Sequence, residues 1–209
     1  MSLADISPAI RRRTRQREEA RRAILDASEA IVLDGGFEAL SIRRLSTRCG
    51  YAAPTIYHYF KDKPAIVEAL LEERCRRLLD ALRRVRRGRG PLADAHALYD
   101  AFVRFGRAHP AHYRLLMAQR DPGLPPPAAF DEARALLRRP IEELEAAGLL
   151  QVSVETAAHA VFALLHGMVS LGNDRSDIDT PADLFDVALA SLLRGLGTSA
   201  AEDEEEALA

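Results

Sequence analysis

The sequence predicts an all-α protein of about nine helices, with a three-helix bundle at the N-terminus and a larger helical domain behind it. Almost every long segment repeats apolar residues at helical spacing, and none alternates with the period of two that marks a half-buried strand. Tryptophan is absent and aromatic residues make up only 6% of the chain, which disfavours a β-sandwich or barrel built on aromatic and β-branched positions. Glycine and proline fall mainly between the periodic segments, as expected at helix ends.

Caps and breakers set the predicted helix boundaries. Ser41 and Asp62 are placed to cap two helices at their N-termini, and Gly50 and the pair Gly35-Gly36 are placed to end two others. Pro140 falls inside the seventh helical segment and should kink or split it. The predicted helices cover about 15–34, 42–49, 52–59, 63–87, 92–108, 110–119, 127–147, 154–172 and 181–196.

Charge is distributed unevenly along the chain. Residues 1–90 hold 20 basic and 12 acidic side chains, whereas residues 91–209 hold 9 basic and 19 acidic ones. The formal net charge of −2 therefore hides a basic front half and an acidic rear half. Such a division favours a protein whose N-terminal part meets a polyanion, although solvated helix faces distributed by chance would give the same totals.

Two features of the sequence argue for a protein of the cytoplasm without a membrane partner. No apolar run reaches the ~18 residues that a membrane span needs, and the N-terminus has no apolar signal-peptide core. The two cysteines, Cys49 and Cys75, are too few for a disulfide scaffold or a structural zinc site.

The sequence also contains no set of residues suited to catalysis. It has no nucleophile elbow, no glycine loop for phosphates and no metal-binding histidine pair on the HExxH pattern. The pairs His109/His112 and His159/His166 have helical same-face spacing but no carboxylate or thiolate at ligand spacing beside them. We therefore expect neither an enzyme nor a metal or cofactor site.

The most informative stretch is SIRRLSTRCGYAAPTIYHYFKDK, which begins at position 41. It predicts two helices of two turns each, joined by a tight turn. Leu45 and Cys49 face inward from the first helix, and Ile56 and Phe60 face inward from the second. The remaining face of the second helix carries several large, semi-polar rings. This arrangement is typical of a helix-turn-helix, whose second helix enters the major groove of DNA.

The spacing of this stretch resembles the N-terminal domain of the TetR family of transcriptional regulators, over roughly residues 18–78. Two positions depart from the family pattern, since Cys49 and Tyr51 stand where alanine and valine are usual. The matching positions are Ser41, Arg43, Leu45, Gly50, Thr55, Ile56, Tyr57, Tyr59, Phe60 and Lys63.

The resemblance implies a double-stranded DNA operator as partner and assigns contact roles. The residues implied to face bases are Arg43, Ala53, Pro54 and Tyr57. The residues implied to contact phosphates are Ser41, Thr55, His58, Tyr59 and Lys63, with Arg44, Arg48 and Lys61 as further candidates. Either Tyr57 or Tyr59 could instead pack mainly in the core. The arginine-rich stretch 11–15 could add backbone or minor-groove contacts, or could be a solvated arm.

The last two predicted helices are candidates for a homodimer interface. Segments 157–171 and 184–196 are apolar almost all round, and a helix without a polar face is buried on several sides. Two such helices from each subunit would form a four-helix interface, which is the usual arrangement in the family that the chain resembles. A dimer would present two recognition helices to DNA about one helical turn apart.

The rear half also carries a weaker resemblance, to a subclass of the same family with a Trp-x-x-x-His-Gly pattern, in which Phe162 stands in place of the tryptophan before His166 and Gly167. The family generally holds a small-molecule pocket in this domain. Each candidate below could equally be plain core, and Gly167 could mark a close approach of two helices. The candidate pocket residues are Phe102, Phe105, His109, Tyr113, Leu116, Met117, Phe130, Leu137, Phe162 and His166.

These observations lead us to expect a homodimeric repressor that binds a pseudo-palindromic operator and leaves it when an apolar or amphipathic small molecule binds. A regulator without an inducer, an activator and a helical-bundle enzyme are the alternatives. The expected organisation is a flexible basic arm (1–14), a helix-turn-helix domain (15–62), a ligand-binding and dimerisation domain (63–197) and a disordered acidic tail (198–209).

Overall fold

A computed structural model describes residues 8–117, 126–174 and 181–197. Within these ranges the chain forms nine α-helices and one 3-10 turn, and it contains no strand, which confirms the predicted fold class. The elements are α1 (Pro8–Gly35), a 3-10 turn (Phe37–Ala39), α2 (Ile42–Cys49), α3 (Ala53–Tyr59), α4 (Lys63–Arg83), α5 (Pro91–Ala108), α6 (Pro110–Met117), α7 (Ala128–Ala146), α8 (Val154–Asp174) and α9 (Leu184–Leu196).

The first helix is longer than the sequence predicted. Residues 8–14, expected to form part of a flexible arm, are helical and continue directly into α1. This part of α1 is rich in arginine and has no apolar stripe, so hydrophobic periodicity could not reveal it. The expected start of the arm at 1–7 and the expected acidic tail at 198–209 lie outside the described residues.

The chain divides into two compact units at a different place from the predicted boundary. One unit comprises residues up to Arg74 together with 114–127, and the other comprises Cys75–Tyr113 and the residues from Ala128 onward. The predicted boundary at residues 62 and 63 falls at the start of α4. The structure instead assigns the first half of α4 to the N-terminal unit, because its apolar side chains Ile66 and Leu70 belong to the core of that unit.

The N-terminal unit has one continuous apolar core. Its fully buried members include Ile24 and Leu25 from α1, Leu45 from α2, Ile56 from α3 and Leu115 from α6. Each fully buried aliphatic side chain contributes roughly 1.5–3 kcal/mol relative to leaving it in water. Because α2 and α3 are only two turns long, they depend on this core for their position.

A buried ion pair joins α1 to α4 in the same unit. The side chain of Arg74 is 1% exposed, and its Nη2 donates to Glu29 at 2.9 Å and to Asp26 at 2.6 Å. Burial alone would lower the pKa of the Arg74 guanidinium, but hydrogen bonds to Glu29 and Asp26 outweigh that effect and raise it. The charge therefore stays in place, and both helices are held at one relative position.

In the second unit α5 packs against α7 and α8, and α8 also packs against α7 and α9. The closest approach involves Gly106 of α5, where an added Cβ would lie 2.7 Å from both methyl groups of Val169. Asn173 donates to the Gly106 carbonyl at 3.0 Å at the same crossing. The sequence analysis considered Gly167 for such a close approach, but a Cβ at Gly167 would meet no atom within 4 Å.

Pro140 does not split α7, in contrast to the prediction, and the helix runs continuously from Ala128 to Ala146. The proline is buried, and it removes one backbone donor from the helix. The buried hydroxyl of Tyr99 donates to the carbonyl of Leu137 at 3.2 Å, in the turn that the proline interrupts. The carbonyl that loses its intrahelical donor is that of Leu136, four residues before Pro140, so the Tyr99 bond ties the neighbouring carbonyl to α5 and does not replace the missing one. Burial raises the pKa of that tyrosine.

By length and composition α8 could cross a membrane, although the sequence was expected to contain no such segment. The stretch Val154–Asn173 has a mean hydropathy of 1.3. In the structure its residues Leu165 and Val169 are buried, and the helix packs on three others. Packing against these helices buries 28% of the stretch, so it covers only part of the apolar surface of α8.

We expect Arg74→Leu to lower the free energy of unfolding by about 3–5 kcal/mol, because it leaves Glu29 buried without its cation. Urea denaturation followed by circular dichroism measures this loss. The control is Arg15→Leu, which removes an exposed pair with Glu19 whose side chains are 82% and 59% exposed. That change should cost about 0.5 kcal/mol or less, and equal costs for the two variants would contradict the role given to Arg74.

Candidate nucleic-acid interface

Three local interactions fix the two ends of α2 and the turn that leads to α3. The Ser41 side chain accepts a hydrogen bond from the Arg44 backbone N–H at 3.3 Å, so it caps α2 as predicted. Gly50 ends α2 with a φ of 75°, a left-handed conformation that favours glycine. The Ser46 hydroxyl donates to the Tyr51 carbonyl at 2.6 Å. This bond holds the residues after the turn against α2.

The inward face of the two short helices matches the prediction. Leu45 and Ile56 are fully buried and Phe60 is 5% exposed. Cys49 is half-buried and packs against the same core. The Arg21 guanidinium lies 5.4 Å from the centroid of the Phe60 ring, which adds a cation–π contact at the end of α3. Asp62 caps α4 by accepting from the Ala65 N–H at 2.9 Å.

The outward face carries most of the side chains that the sequence proposed for DNA. Tyr57 is 52% exposed, which is unusual for a large ring on a helix of seven residues. Tyr59, by contrast, is half-buried and packs against the core, with its ring edge-on to His58 at 5.4 Å. Of the other proposed contact residues, those exposed are Ser41, Arg43, Arg44, Pro54, His58 and Lys61, and those half-buried are Ala53, Thr55 and Lys63.

The arginines of α2 differ in how strongly they are held within the protein. Arg48 forms an ion pair with Asp34 of α1 at 3.0 Å, and Arg44 donates to the Ala39 carbonyl at 3.4 Å. Within the described residues, the Arg43 guanidinium has neither an ion pair nor a hydrogen bond. The N–H donors of the Arg43 guanidinium can therefore bind an external acceptor, whereas Arg48 would first have to break its ion pair with Asp34.

The basic N-terminal part of α1 is a second exposed, positively charged surface. Arg11, Arg12 and Arg13 are exposed on the helix, and Arg15 pairs with Glu19 at 2.8 Å. The sequence placed these residues in an arm, whereas the structure presents them on a helix. They belong to the same compact unit as α2 and α3.

The sequence analysis missed Ser46 and Asp34. Ser46 closes the turn, and Asp34 fixes Arg48. A serine inside a predicted helix gives no signal of a bond to a carbonyl five residues later, and an ion pair between positions 34 and 48 depends on how α1 and α2 pack. Neither follows from the spacing of the residues.

The ten candidate pocket residues do not share one environment. Leu116 and Met117 fall in the N-terminal unit and the other eight in the second unit. The buried ones are Phe102, Phe105, Tyr113 and Leu116, the half-buried ones are Met117, Phe130, Leu137 and His166, and the exposed ones are His109 and Phe162. Among the described residues there is no group of three or more histidine, cysteine, aspartate or glutamate side chains able to hold a metal.

Part of this set does come together between α5, α6 and α8. The Tyr113 hydroxyl and His166 Nδ1 are 2.5 Å apart, and the Phe102 ring lies edge-on to the Tyr113 ring at 6.0 Å. On the outer side Phe162 stacks on His166 at 6.2 Å. Burial raises the pKa of Tyr113 to about 12, so its hydroxyl remains protonated at neutral pH. The cluster combines a polar pair with an aromatic surround.

We expect Ser46→Ala to lower the free energy of unfolding by about 1 kcal/mol, because it leaves the partly buried Tyr51 carbonyl without its donor. Urea denaturation measures this. Thr47→Ala is the matched control, since the Thr47 hydroxyl also bonds a carbonyl, that of Arg43, but within α2 and at an exposed position. The control should change stability by about 0.5 kcal/mol or less, and a larger loss for Thr47 than for Ser46 would contradict the role of the turn bond.

Two family models match successive parts of the chain. Residues 24–70 match the model of bacterial regulatory proteins of the tetR family, and residues 95–196 match the model of the tetracyclin repressor-like C-terminal domain. A TetR family transcription regulator from Marinobacter aquaeolei VT8 has a similar structure, with a TM-score of 0.72 over 88% of this chain and 98% of that one. At 19% identity this likeness supports the fold alone.

Curated relatives are similar over less than half of the chain. The HTH-type transcriptional regulator BetI of Cronobacter sakazakii is 37% identical over 62 residues, which is 30% of this chain and 31% of that protein. The HTH-type transcriptional repressor KstR of Rhodococcus jostii is 31% identical over 87 residues, 42% of this chain and 41% of that protein. The chain thus matches less than half the length of either relative. Because an N-terminal and a C-terminal model of one family match in order over most of the sequence, the chain belongs to the TetR family of bacterial regulatory proteins.

Proposed function

We propose that the protein is a sequence-specific DNA-binding repressor that recognises a pseudo-palindromic operator as a homodimer. The observation that carries this proposal is the exposed face of α2 and α3, where Tyr57 and the unpaired Arg43 project from helices seated on a fully buried core. Such a face fits a DNA major groove, whose width of ~12 Å admits one α-helix. The repressor role is supported by the similarity to KstR of Rhodococcus jostii, an HTH-type transcriptional repressor.

Specificity in this proposal rests on few side chains. Arg43 presents a guanidinium fork that matches the O6 and N7 acceptors of guanine. Tyr57, Pro54 and Ala53 offer apolar and ring surface for base edges and thymine methyl groups. Because these are few, the operator's sequence-dependent deformability also contributes to recognition.

Phosphate contacts in this proposal position the recognition helix without reading sequence. Ser41, Thr55, His58 and Lys63 are assigned this role, with Lys61 and Arg44 beside them. Tyr59 contributes through its hydroxyl only, since its ring packs against the core. The exposed arginines at 11–13 on α1 add a basic surface that attracts the DNA backbone.

The homodimer is proposed to form through α8 and α9. Phe162 on α8 is 45% exposed and Val187 on α9 is 56% exposed. These side chains lie on two helices that already pack against each other. Single exposed apolar residues are common on monomer surfaces, but an apolar surface shared by two packed helices is typical of an interface that a partner covers.

A small-molecule effector is proposed to act at the cluster around Tyr113 and His166. Pockets for small molecules combine an apolar lining with a few polar groups, as this cluster does. An effector releases DNA only if it binds the DNA-incompetent arrangement more tightly than the competent one. Helix α4 contributes residues to both compact units, so we assign the coupling to it.

A regulator without an inducer, or an activator, would use the same DNA-binding face, and operator release by an added ligand distinguishes them. The alternative of a helical-bundle enzyme loses support because both matched models describe regulatory proteins.

We expect Arg43→Ala and Tyr57→Ala each to weaken operator binding by about 1–3 kcal/mol and to relax base preference. Lys63→Ala should weaken binding to every duplex alike and reduce the salt dependence by about one unit. An operator selected from randomised duplexes, followed by fluorescence anisotropy at several salt concentrations, measures both effects.

Arg134→Ala is the control for that experiment, because Arg134 is an exposed arginine of α7 in the other compact unit. It should leave operator affinity unchanged within about twofold. Unaltered affinity in the Tyr57 variant would show that the recognition helix has been misplaced.

We expect Phe162→Glu combined with Val187→Glu to shift the protein from dimer to monomer, because two charges would be buried at the interface. Analytical ultracentrifugation measures the shift. Leu92→Glu is the control, since Leu92 is an equally exposed apolar residue, at 52%, but lies on α5. A dimer that survives the double substitution but not the Leu92 change would place the interface elsewhere.

A further inference from the structure

The segment that follows α4 has an unusual density of arginine. Between positions 84 and 90 the chain reads RVRRGRG, with arginines at 84, 86, 87 and 89. The proposed DNA-binding face lies in the N-terminal unit, whereas this segment belongs to the second one. The function proposed above assigns no role to its charge.

This arginine segment is held by a carboxylate rather than left as a loose loop. Asp94, in the first turn of α5, accepts hydrogen bonds from the backbone N–H groups of Gly88 at 2.7 Å and Arg89 at 3.1 Å. Gly88 and Gly90 have φ values of 106° and 102°, which favour glycine and give the segment its shape. The hydrogen bonds from Gly88 and Arg89 lower the pKa of Asp94, so the anchor is charged at neutral pH.

The arginine segment borders an open groove between the end of α4 and α5, with a volume of about 700 Å³. This volume lies within the range of ~300–1,000 Å³ found for small-molecule sites. Val85, Ala97 and Ala101 supply apolar lining, and Arg104 of α5 adds a fifth guanidinium. We call this region the arginine groove.

The cations of the arginine groove divide into paired and unpaired sets. Arg87 bonds Glu143, and Arg104 pairs with Asp100 at 3.0 Å. Arg84, Arg86 and Arg89 are exposed. Arg84 and Arg86 have no carboxylate or hydrogen-bond partner for their guanidinium groups in the described part of the chain, and Arg89 interacts electrostatically with the Asp94 carboxylate without a side-chain hydrogen bond to it. Among the described residues, the carboxylates near the groove therefore neutralise only part of its positive charge. The remaining like charges of Arg84, Arg86 and Arg89 repel each other, and an anion in the groove would remove that repulsion.

We infer that the arginine groove binds a small anion carrying two or more phosphate groups. Guanidinium forks match phosphate oxygens in bidentate geometry. A multiply charged phosphate chain supplies enough acceptors for three guanidinium groups within a site of this size. The hydrogen bonds to Asp94 restrain the backbone of the segment, so less loop ordering opposes binding. The inference does not depend on an operator or on the effector cluster at Tyr113.

Isothermal titration calorimetry of the full-length chain with sodium tripolyphosphate tests this inference. We expect saturable one-to-one binding in the wild-type protein. The variant Arg84→Gln/Arg86→Gln/Arg89→Gln should raise the Kd at least about tenfold, because it removes three charge-assisted contacts from exposed positions. The matched control, Arg76→Gln/Arg77→Gln/Arg134→Gln, removes the same charge from exposed positions outside the groove and should change the Kd less than about twofold.

Three outcomes would overturn the inference. Equal losses in the two triple variants would mean that only net charge attracts the anion. Equal affinity for citrate would mean that the groove does not select phosphate. Weakened binding of a random-sequence DNA duplex by the groove variant, with tripolyphosphate binding unchanged, would identify the groove as a surface for the DNA backbone.

The acidic stretch 202–206 of the same chain provides one further test, since its five carboxylates could occupy the groove instead. The full-length variant Glu202→Gln/Asp203→Asn/Glu204→Gln/Glu205→Gln/Glu206→Gln should bind tripolyphosphate with a Kd within about threefold of wild type. If only this variant binds the probe, the tail is the occupant and the inference of a small phosphate ligand is wrong.

Discussion

The buried guanidinium of Arg74 is the interaction on which the DNA-binding unit depends. It joins α4 to Glu29 and Asp26 of α1 beside a continuous apolar core whose contacts are non-directional. An apolar core specifies that helices pack, but a buried charge specifies which atoms must meet, because an unpaired charge there is costly. The helices α2 and α3 rest on this frame, so the orientation of Tyr57 and Arg43 follows from a residue that touches no DNA in the proposed complex.

The chain uses arginine in three physical situations. Arg74 is buried and paired with Glu29 and Asp26, Arg48 is exposed but paired with Asp34, and Arg43 is exposed with no side-chain partner among the described residues. Only the last arrangement leaves a guanidinium available to an outside partner at no cost in broken contacts. The same distinction separates Arg87 from its neighbours in the arginine groove. Burial and partner, rather than residue type, therefore divide structural from functional arginines.

The two compact units are stabilised by different kinds of helix packing. In the N-terminal unit, two-turn helices are fixed by caps and by a single apolar core. In the second unit, long helices approach closely at Gly106, and α7 remains continuous through Pro140 beside a hydroxyl from Tyr99. Apolar side chains left exposed on α8 and α9 supply the surface proposed for the dimer. A dimeric DNA-binding protein needs both units, because two rigid recognition helices bind two half-sites only when the dimer holds them at a defined spacing.

The sequence by itself determined the features that are local or periodic. Helical spacing predicted the nine helices, Ser41, Gly50 and Asp62 were assigned as caps, and Leu45 and Ile56 were assigned to the core, all confirmed. Only the tertiary structure decided that Arg74 is buried, that Gly106 rather than Gly167 marks the close crossing, and that α7 continues through Pro140. These three features depend on contacts with residues distant in the chain, namely Glu29, Val169 and Tyr99. The helical repeat of 3.6 residues shows which side chains share a face, but it does not show which distant side chain they will contact.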